Sequence, residues 1–391
     1  MEIKLLVNQI EYPDLQFQKA MTAIMEHFGQ LPDPRTKEHK IIHKLYDIVF
    51  ITIAAVICGA EDWYDIEDYG EANQQWLSRF LELPGGLPSH DTYNRVFSLF
   101  DPQALQQCFV GWVQSIAHIS EGQVVSIDGK QLRHSGEQGG KSIIHMVSAW
   151  SNANNMVLGQ LKVNDKSNEI TAIPALLEVL MLKGCWITID AMGCQIEIAK
   201  KIREVGAEYI LAVKDNQKHL NDDIKEAFAQ TPQTASHTQL NVDHGRIEKR
   251  ICRIITDMDW ICSKDQWEGL QTIIEIISER THKATGEKEK QVRHYISSIK
   301  APAEAFNTAI REHWGIENKL HWVLDVCFGE DMSTKRAGTA AENFSFVSKV
   351  ALNLLNQSEE RKGGKKLSIK RKRKKADRDK DYLLSLLAKA G

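Results

Sequence analysis

The sequence predicts an α/β fold: a mixed sheet covered by helices, preceded by an all-helical region and interrupted by a β-rich insertion. Three observations predict it. Residues 14 to about 118 carry apolar positions at helical spacing. From residue 123, short β-branched runs alternate with amphipathic helical stretches. Residues 237–300 then turn to strand character again, before a last helical stretch over 302–327.

Each element has a local reason. In the helical region, LYDIVFITIAAVI and ALQQCFVGWVQSIA repeat apolar residues on one helical face. The turn Asp33-Pro34-Arg35 separates a first short helix from the next. Pro84, Gly85, Gly86 and Pro88 mark a loop, after which Ser89 or Asp91 caps a helix through His90 to Arg95. QVVSIDGKQLR, SIIHMVSAWS and MVLGQLKV read as three strands, the last two joined by a turn at Asn154-Asn155. A helix follows in EITAIPALLEVLMLKG, capped by Ser167 or Asn168. CWITIDAMG is a buried strand, CQIEIAKKIREVGA a helix stopped at Gly206, and EYILAVKDN another strand. Three leading strands and then crossover units match the ribonuclease H topology. In the insertion, RIEKRICRIITDM, LQTIIEIISERT and KQVRHYISSI are strands, with a hairpin turn at Ala284-Thr285-Gly286.

Composition narrows the function classes. The 391 residues suggest two or three domains of about 150 residues each. The longest apolar run, Ile48 to Ala60, falls short of the roughly 20 residues a membrane helix needs. MEIKLLVNQIEYPD carries acidic residues and no long apolar stretch, unlike a secretory signal. Seven dispersed cysteines with no CxxC pair fit reduced thiols, so a cytoplasmic protein with no membrane partner is expected. The formal charge of −3 conceals an asymmetry: residues 361–380 hold twelve Lys/Arg against two Asp. The run Lys370 to Lys375 reads either as a solvated tail or as a contact for a polyanion.

Two aspartates occupy equivalent places. Asp128 ends VVSID and Asp190 ends WITID, each after an apolar strand and shortly before a glycine. Open α/β sheets place ligands at the C-terminal ends of their strands. A carboxylate there is partly buried, and a hard divalent cation would offset the cost of its charge. Either aspartate alone is as readily a helix cap or turn residue; the pair is more telling. A third acid stands in FNTAIREHWGIENKLHWVLDV, where Glu317 lies four residues from His313 and from His321, with Arg311 nearby. Trp314 and Trp322 are expected to dock this helix on the sheet. Asp325, eight residues on, is the rival third ligand. Lys130 and Arg133 are candidate phosphate contacts, and Lys130 stands where a haloacid-dehalogenase-type phosphatase would need a second Asp. Glu169 opens a helix and suits its dipole. His134 and His145 read as polar packing.

The ordered motifs VVSIDGKQLRHS, DKSNEITAIPALL, ITIDAMGCQ, ILAVKDNQ, HGRIEKR, RHYISS and HWGIENKLHWVLDV, with PDPRTKEHKIIHKL and GAEDWYDIEDYGE upstream, resemble insertion-sequence transposases of the DDE group. More closely, they are similar to the H-repeat-associated proteins of enteric bacteria. The resemblance covers the chain from about residue 30 to beyond 350. It implies a ribonuclease H-like core at 119–236 and 301–356 and a β-rich insertion at 237–300. It also implies a helical domain at 1–118 for DNA binding or association, and a basic tail at 357–391. Asp128, Asp190 and Glu317 would be the catalytic acids holding Mg²⁺ or Mn²⁺, two ions, for cleavage and strand transfer of DNA by an oligomer, a dimer on DNA. Arg246, in His244-Gly245-Arg246, would reach DNA. A ribonuclease H-like nuclease without strand transfer, or a silent transposon-derived DNA-binding protein, are the alternatives. One departure stands out. Relatives with a Tyr–Arg–Glu–Lys signature carry those residues where this chain has Ile310, His313 and Leu324 around Glu317. Lys319, Arg311, His313 and His321 are then the candidates for contacting phosphate.

Overall fold

The computed structural model describes residues 26–36, 41–136, 143–163, 169–243 and 245–390. The start of the first short helix, the cap expected at Ser167 or Asn168, and His244 lie outside these.

Four long helices come first: α1 (Leu45–Cys58), α2 (Trp63–Ala72), α3 (His90–Leu99) and α4 (Pro102–Ile116). The apolar run too short for a membrane forms α1, which is buried from Asp47 to Ile57. No helix among the described residues is long and apolar enough to cross a membrane. Asp62 caps α2 reciprocally with Asp65, and Asp101 caps α4 ahead of Pro102. Ser89 stands at the cap position of α3, where its hydroxyl meets that of Thr92 at 3.4 Å and makes no capping bond to the helix backbone.

The strands β1 (Val124–Leu132), β2 (Ile144–Ser151) and β3 (Met156–Lys162) lead the sheet. Asn155, at φ 53, makes the β2–β3 turn. Next come α5 (Glu169–Val179), β4 (Trp186–Ile189), α6 (Ile196–Glu204) and β5 (Glu208–Val213). A helix that the sequence patterning does not predict, α7 (Lys218–Gln230), follows. Then β6 (Ala235–Asp243), β7 (Arg246–Ile255), β8 (Thr272–His282) and β9 (Lys288–Ser297) form a meander. All nine strands belong to one sheet in the order β3-β2-β1-β4-β5-β9-β8-β7-β6. β1, β4 and β5 are parallel, and β9 pairs antiparallel with β5. The β-rich insertion therefore continues the core sheet rather than standing apart from it.

The chain closes with α8 (Ala303–His313), a π-helical turn (Ile316–His321), α9 (Trp322–Phe328) and α10 (Ala340–Asn356). A hairpin, β10 (Arg361–Lys362) and β11 (Lys365–Lys366), leads to α11 (Ile369–Arg378) and α12 (Lys380–Leu387). One continuous hydrophobic cluster runs from α1 through the sheet to α10 and α12, so the N-terminal helices share the core of the sheet. Buried Asn353 on α10 bonds both the N–H and the C=O of Val157, completing the free edge of β3.

The stretch expected as a basic tail, 357–391, is packed structure over its described residues 357–390. Lys372 is buried and donates to the carbonyls of Leu355 and Ser358, both at 2.7 Å. Arg373 donates to the carbonyls of Val56 and Ala60 at the end of α1 and of Cys327 in α9. These cations satisfy orphan carbonyls at helix C-termini, a role the run of basic residues does not disclose.

Candidate metal centre

The parallel register of β1 and β4 sets the first two acids side by side. Ile127 pairs with Ile189, so Asp128 and Asp190 each follow at the same level of adjacent strands. β4 ends there, and the Asp190 carboxylate accepts the Met192 N–H at 3.1 Å. β1 runs on to Leu132 beside β2, while its pairing with β4 ends at Ile127, so Asp128 stands at the first position past the paired edge.

The third acid arrives on the π-helical turn. At its start, the side chain of Asn152 lies against Gly315 and donates to the Glu312 carbonyl at 2.9 Å. A Cβ on residue 315 would sit 2.1 Å from the Asn152 Oδ1, so only glycine fits this close approach. The widened turn is a feature common at functional sites. It docks through Ile316, Leu320 and Leu324, all fully buried. Trp314 and Trp322, expected to dock the helix, are instead 40% and 58% exposed. The aliphatic stripe at i, i+4 and i+8 takes the sheet-facing side and turns the indoles outward.

Asp128, Asp190 and Glu317 line one cavity, with Thr188, Lys214, Arg293, Tyr295, His313 and Trp314 around them. The ligand atoms of Asp128, Glu317 and His321 lie within 4.8 Å of one another. His321 Nδ1 is 3.5 Å from Asp128 Oδ2 and 3.7 Å from Glu317 Oε2. Asp190 shares the cavity but stands outside this tighter group. Among the described residues, none of the three acids has a Lys or Arg ion-pair partner. Burial drives the Asp128 carboxyl well above the usual range, and the neighbouring carboxyls of Glu317 and Asp190 add to this. The imidazole of His321, 3.7 Å away, holds Glu317 below its ordinary value. Two carboxyls this close share a proton when no cation is present. The set of hard oxygen donors, crowded and uncompensated, fits divalent metal ions.

His313 is tied to the Thr188 hydroxyl at 3.0 Å, which in turn reaches Ser126 on β1 at 3.2 Å. Burial holds His313 below its ordinary pKa. These contacts support the floor of the cavity.

Other expected site residues are elsewhere. Lys130 turns away into an ion-pair hub with Asp325, Glu330 (2.7 Å) and Asp331 (3.6 Å). That removes Lys130 from the cavity and engages Asp325, the rival third ligand. Arg133 is exposed and pairs with Asp331 at 3.3 Å. His134 contacts the Asp331 carbonyl. Arg246, Arg311 and Lys319 line an open groove of about 930 Å³ between β6–β8 and α8, together with Arg250 and Arg280. Trp314 belongs to both walls, so the groove and the acidic cavity are neighbours across this indole.

Glu169 is brought closer to the acids than its helix-opening position suggested. A Cβ on Gly129 would lie 2.2 Å from its carboxyl carbon, so this carboxyl rests on the backbone beside Asp128. Burial and the charge of Asp190 raise its pKa, and His145 stands 3.9 Å away. The Gly next to Asp128 was the available signal, since glycine marks a close approach.

With this geometry in view, the chain can be compared with known proteins. Residues 119–354 match the family described as Transposase DDE domain, and residues 25–113 match the region described as DDE_Tnp_1-associated. The chain belongs to the DDE-domain transposase family. It is 43% identical over 377 residues to the "H repeat-associated putative transposase YhhI" of Escherichia coli (strain K12), covering 94% of this chain and 98% of that protein. It is 42% identical over 376 residues to the "Putative transposase YncI" of Escherichia coli O157:H7, covering 94% and 95%. Among solved structures, it is similar to piggyBac transposase in a synaptic complex with hairpin DNA, at a TM-score of 0.44 and 12% identity, over 98% of this chain and 79% of that one. The resemblance to the H-repeat-associated proteins read from the motifs thus holds across nearly the whole chain.

Proposed function

We propose that this transposase-family protein cleaves DNA and joins the freed end to a target strand, with Asp128, Asp190 and Glu317 holding divalent metal ions. The observation that carries the reading is the meeting of three carboxylates from three distant segments in one cavity, none of them in an ion pair with a Lys or Arg among the described residues, although Lys214 and Arg293 line the same cavity. The strand order β3-β2-β1-β4-β5, with β1, β4 and β5 parallel, supports a ribonuclease H-like core. Mg²⁺ or Mn²⁺, two ions, would supply activation of the attacking oxygen and stabilisation of the leaving one.

The chain's own residues do the rest. Asp128, whose protonated form burial and the neighbouring carboxyls favour, would release that proton when a cation is held, so that Asp128, Asp190 and Glu317 all serve as oxygen donors. His321 holds the Glu317 carboxylate in place. Arg246, Arg311 and Lys319 line the groove along which the DNA backbone would lie. No side-chain nucleophile is needed, because water and then a 3′-hydroxyl attack the phosphorus. A homodimer acting on two DNA ends in the cytoplasm completes the proposal.

The test is cleavage and joining of DNA carrying the element's terminal repeat, with Mg²⁺ or Mn²⁺, by wild type and Asp190→Ala. Wild type gives cut and joined products and the variant neither. Cut products without joined ones would support the nuclease reading instead. Equal activity in both proteins would remove Asp190 from the site.

A further inference from the structure

We propose that Arg250 forms the floor of a preformed seat for one phosphodiester of a bound DNA strand, in the groove between β6–β8 and α8. The DNA in this statement rests on the proposed function; the case for an anion does not.

Alternation along β7 puts Arg246, Glu248, Arg250, Cys252 and Ile254 on one face. Cys252 and Ile254 join Ile274, Ile276, Phe306 and Ile310 in a small apolar cluster under α8. Arg250 sits where that dry floor meets the charged groove, and it is 5% exposed. Its guanidinium has no ion pair or hydrogen bond among the described residues, and its Nε is buried and unbonded. Its cross-strand partners, Gln239 and Ser278, are neutral. Two carboxylates line the groove: Glu248 is already engaged by Arg280 at 3.3 Å and Arg311 at 3.1 Å, and Glu312 makes no ion pair with Arg250 among the described residues.

A guanidinium cannot discharge itself by losing a proton, so burying it without a partner is costly. A fold that retains such a group has a reason beyond stability. The missing partner is an anion, and the planar fork of arginine suits a phosphate bidentately. The surroundings favour nucleic acid over a small anion. The groove is open, further lined by Arg246, Lys319, Asn241 and Asn318, and it shares Trp314 with the wall of the acidic cavity.

The experiment uses the full chain without metal. Thermal melts are followed with inorganic phosphate added against chloride at equal ionic strength. Binding of a fluorescent 30-base-pair duplex is then measured by anisotropy across salt concentrations. Arg250→Met, close in length and apolar, is expected to melt higher than wild type without anion, because it removes an unpaired buried charge. It is expected to lose the melting response to phosphate, and its slope of log affinity against log salt should be shallower by about 1. Arg250→Lys should recover part of the salt slope. A lower melting point or misfolding of Arg250→Met, or an unchanged slope and affinity, overturns the seat. The two readings separate cleanly. Normal DNA binding by Arg250→Met alongside dead Asp190→Ala would sink the seat and keep the enzyme. The reverse pattern, a slope change with no metal-dependent cleavage by wild type, would keep the seat and sink the enzyme.

Discussion

The same strand and the same helical segment meet twice in this protein, with opposite electrostatics. At one level, Asp128 of β1 faces Glu317 of the π-helical turn, and among the described residues the acids have no Lys or Arg partner. Two residues further along β1, Lys130 meets Asp325, Glu330 and Asp331 at the far end of the same segment. Glu330 is buried and also bonds Ser345 at 3.0 Å, with Lys349 3.7 Å away. The hub is balanced and the cavity is not. The difference teaches a division of labour: the compensated cluster clamps β1 against α9, and that clamp keeps the repelling acids together, as the proposed metal site requires.

Breaking the clamp should have the largest effect. Lys130→Met leaves Glu330 and Asp325 without their shared cation, and removing one partner of a buried pair typically costs about 3–5 kcal/mol. Urea unfolding should show a loss of that size. A change under about 1 kcal/mol would mean the hub is surface decoration.

The opposite result is expected in the cavity. Asp128→Asn should raise the melting point of the metal-free protein while abolishing metal-dependent cleavage. Calorimetric titration with Mn²⁺ should show a loss beyond the roughly 10–100-fold typical of removing an outer partner. Retained Mn²⁺ affinity would detach Asp128 from the metal reading.

The pH dependence of stability should separate the two regions by sign. Asp128 has a raised carboxyl pKa, so it contributes stability that is present below its unfolded value and lost as pH rises through about 8. Glu330 is buried, which acts upward, but the charges of Lys349 and Lys130 hold it down to about 2. Its stability is present above its unfolded value and lost as pH falls through about 2. Metal-free stability should therefore decline from weakly acidic pH up to about 8 and level off above it, and Asp128→Asn or added Mg²⁺ should flatten that decline. An identical slope between about pH 4 and 8 in Asp128→Asn would show that the cavity acids are not the cause.

The smallest effect is expected at the border of the cavity. Glu169→Gln keeps the shape against Gly129 but removes a charge near Asp190, and should change Mn²⁺ affinity by about tenfold. No change would return Glu169 to the role of a helix-opening acid.

Much of this architecture is legible in the order of residues alone. The strands around Asp128 and Asp190 can be read because an apolar β-branched run ending in Asp-Gly or Asp-Ala is a local signal. The buried helix α1 is equally plain. What escapes such reading is set by long-range contact. Polar TASHTQLNVD carries no strand signature, yet most of it pairs along β7 as β6. The indoles of Trp314 and Trp322 suggest a docking face that the π-helical turn rotates away.

By itself, the sequence determined the periodicities, and with them the strand ends where two aspartates stand and the helix that bears Glu317. Backbone geometry makes those patterns local, repeating about every two or 3.6 residues. Only the tertiary structure decided the partners of the long polar side chains. Lys130 reaches Glu330 across 200 residues of chain, Arg373 reaches Val56 across 317, and Arg250 is left with no partner among the described residues. A charge acquires its role from what lies within a few ångströms of it, and the order of residues along the chain does not encode that distance.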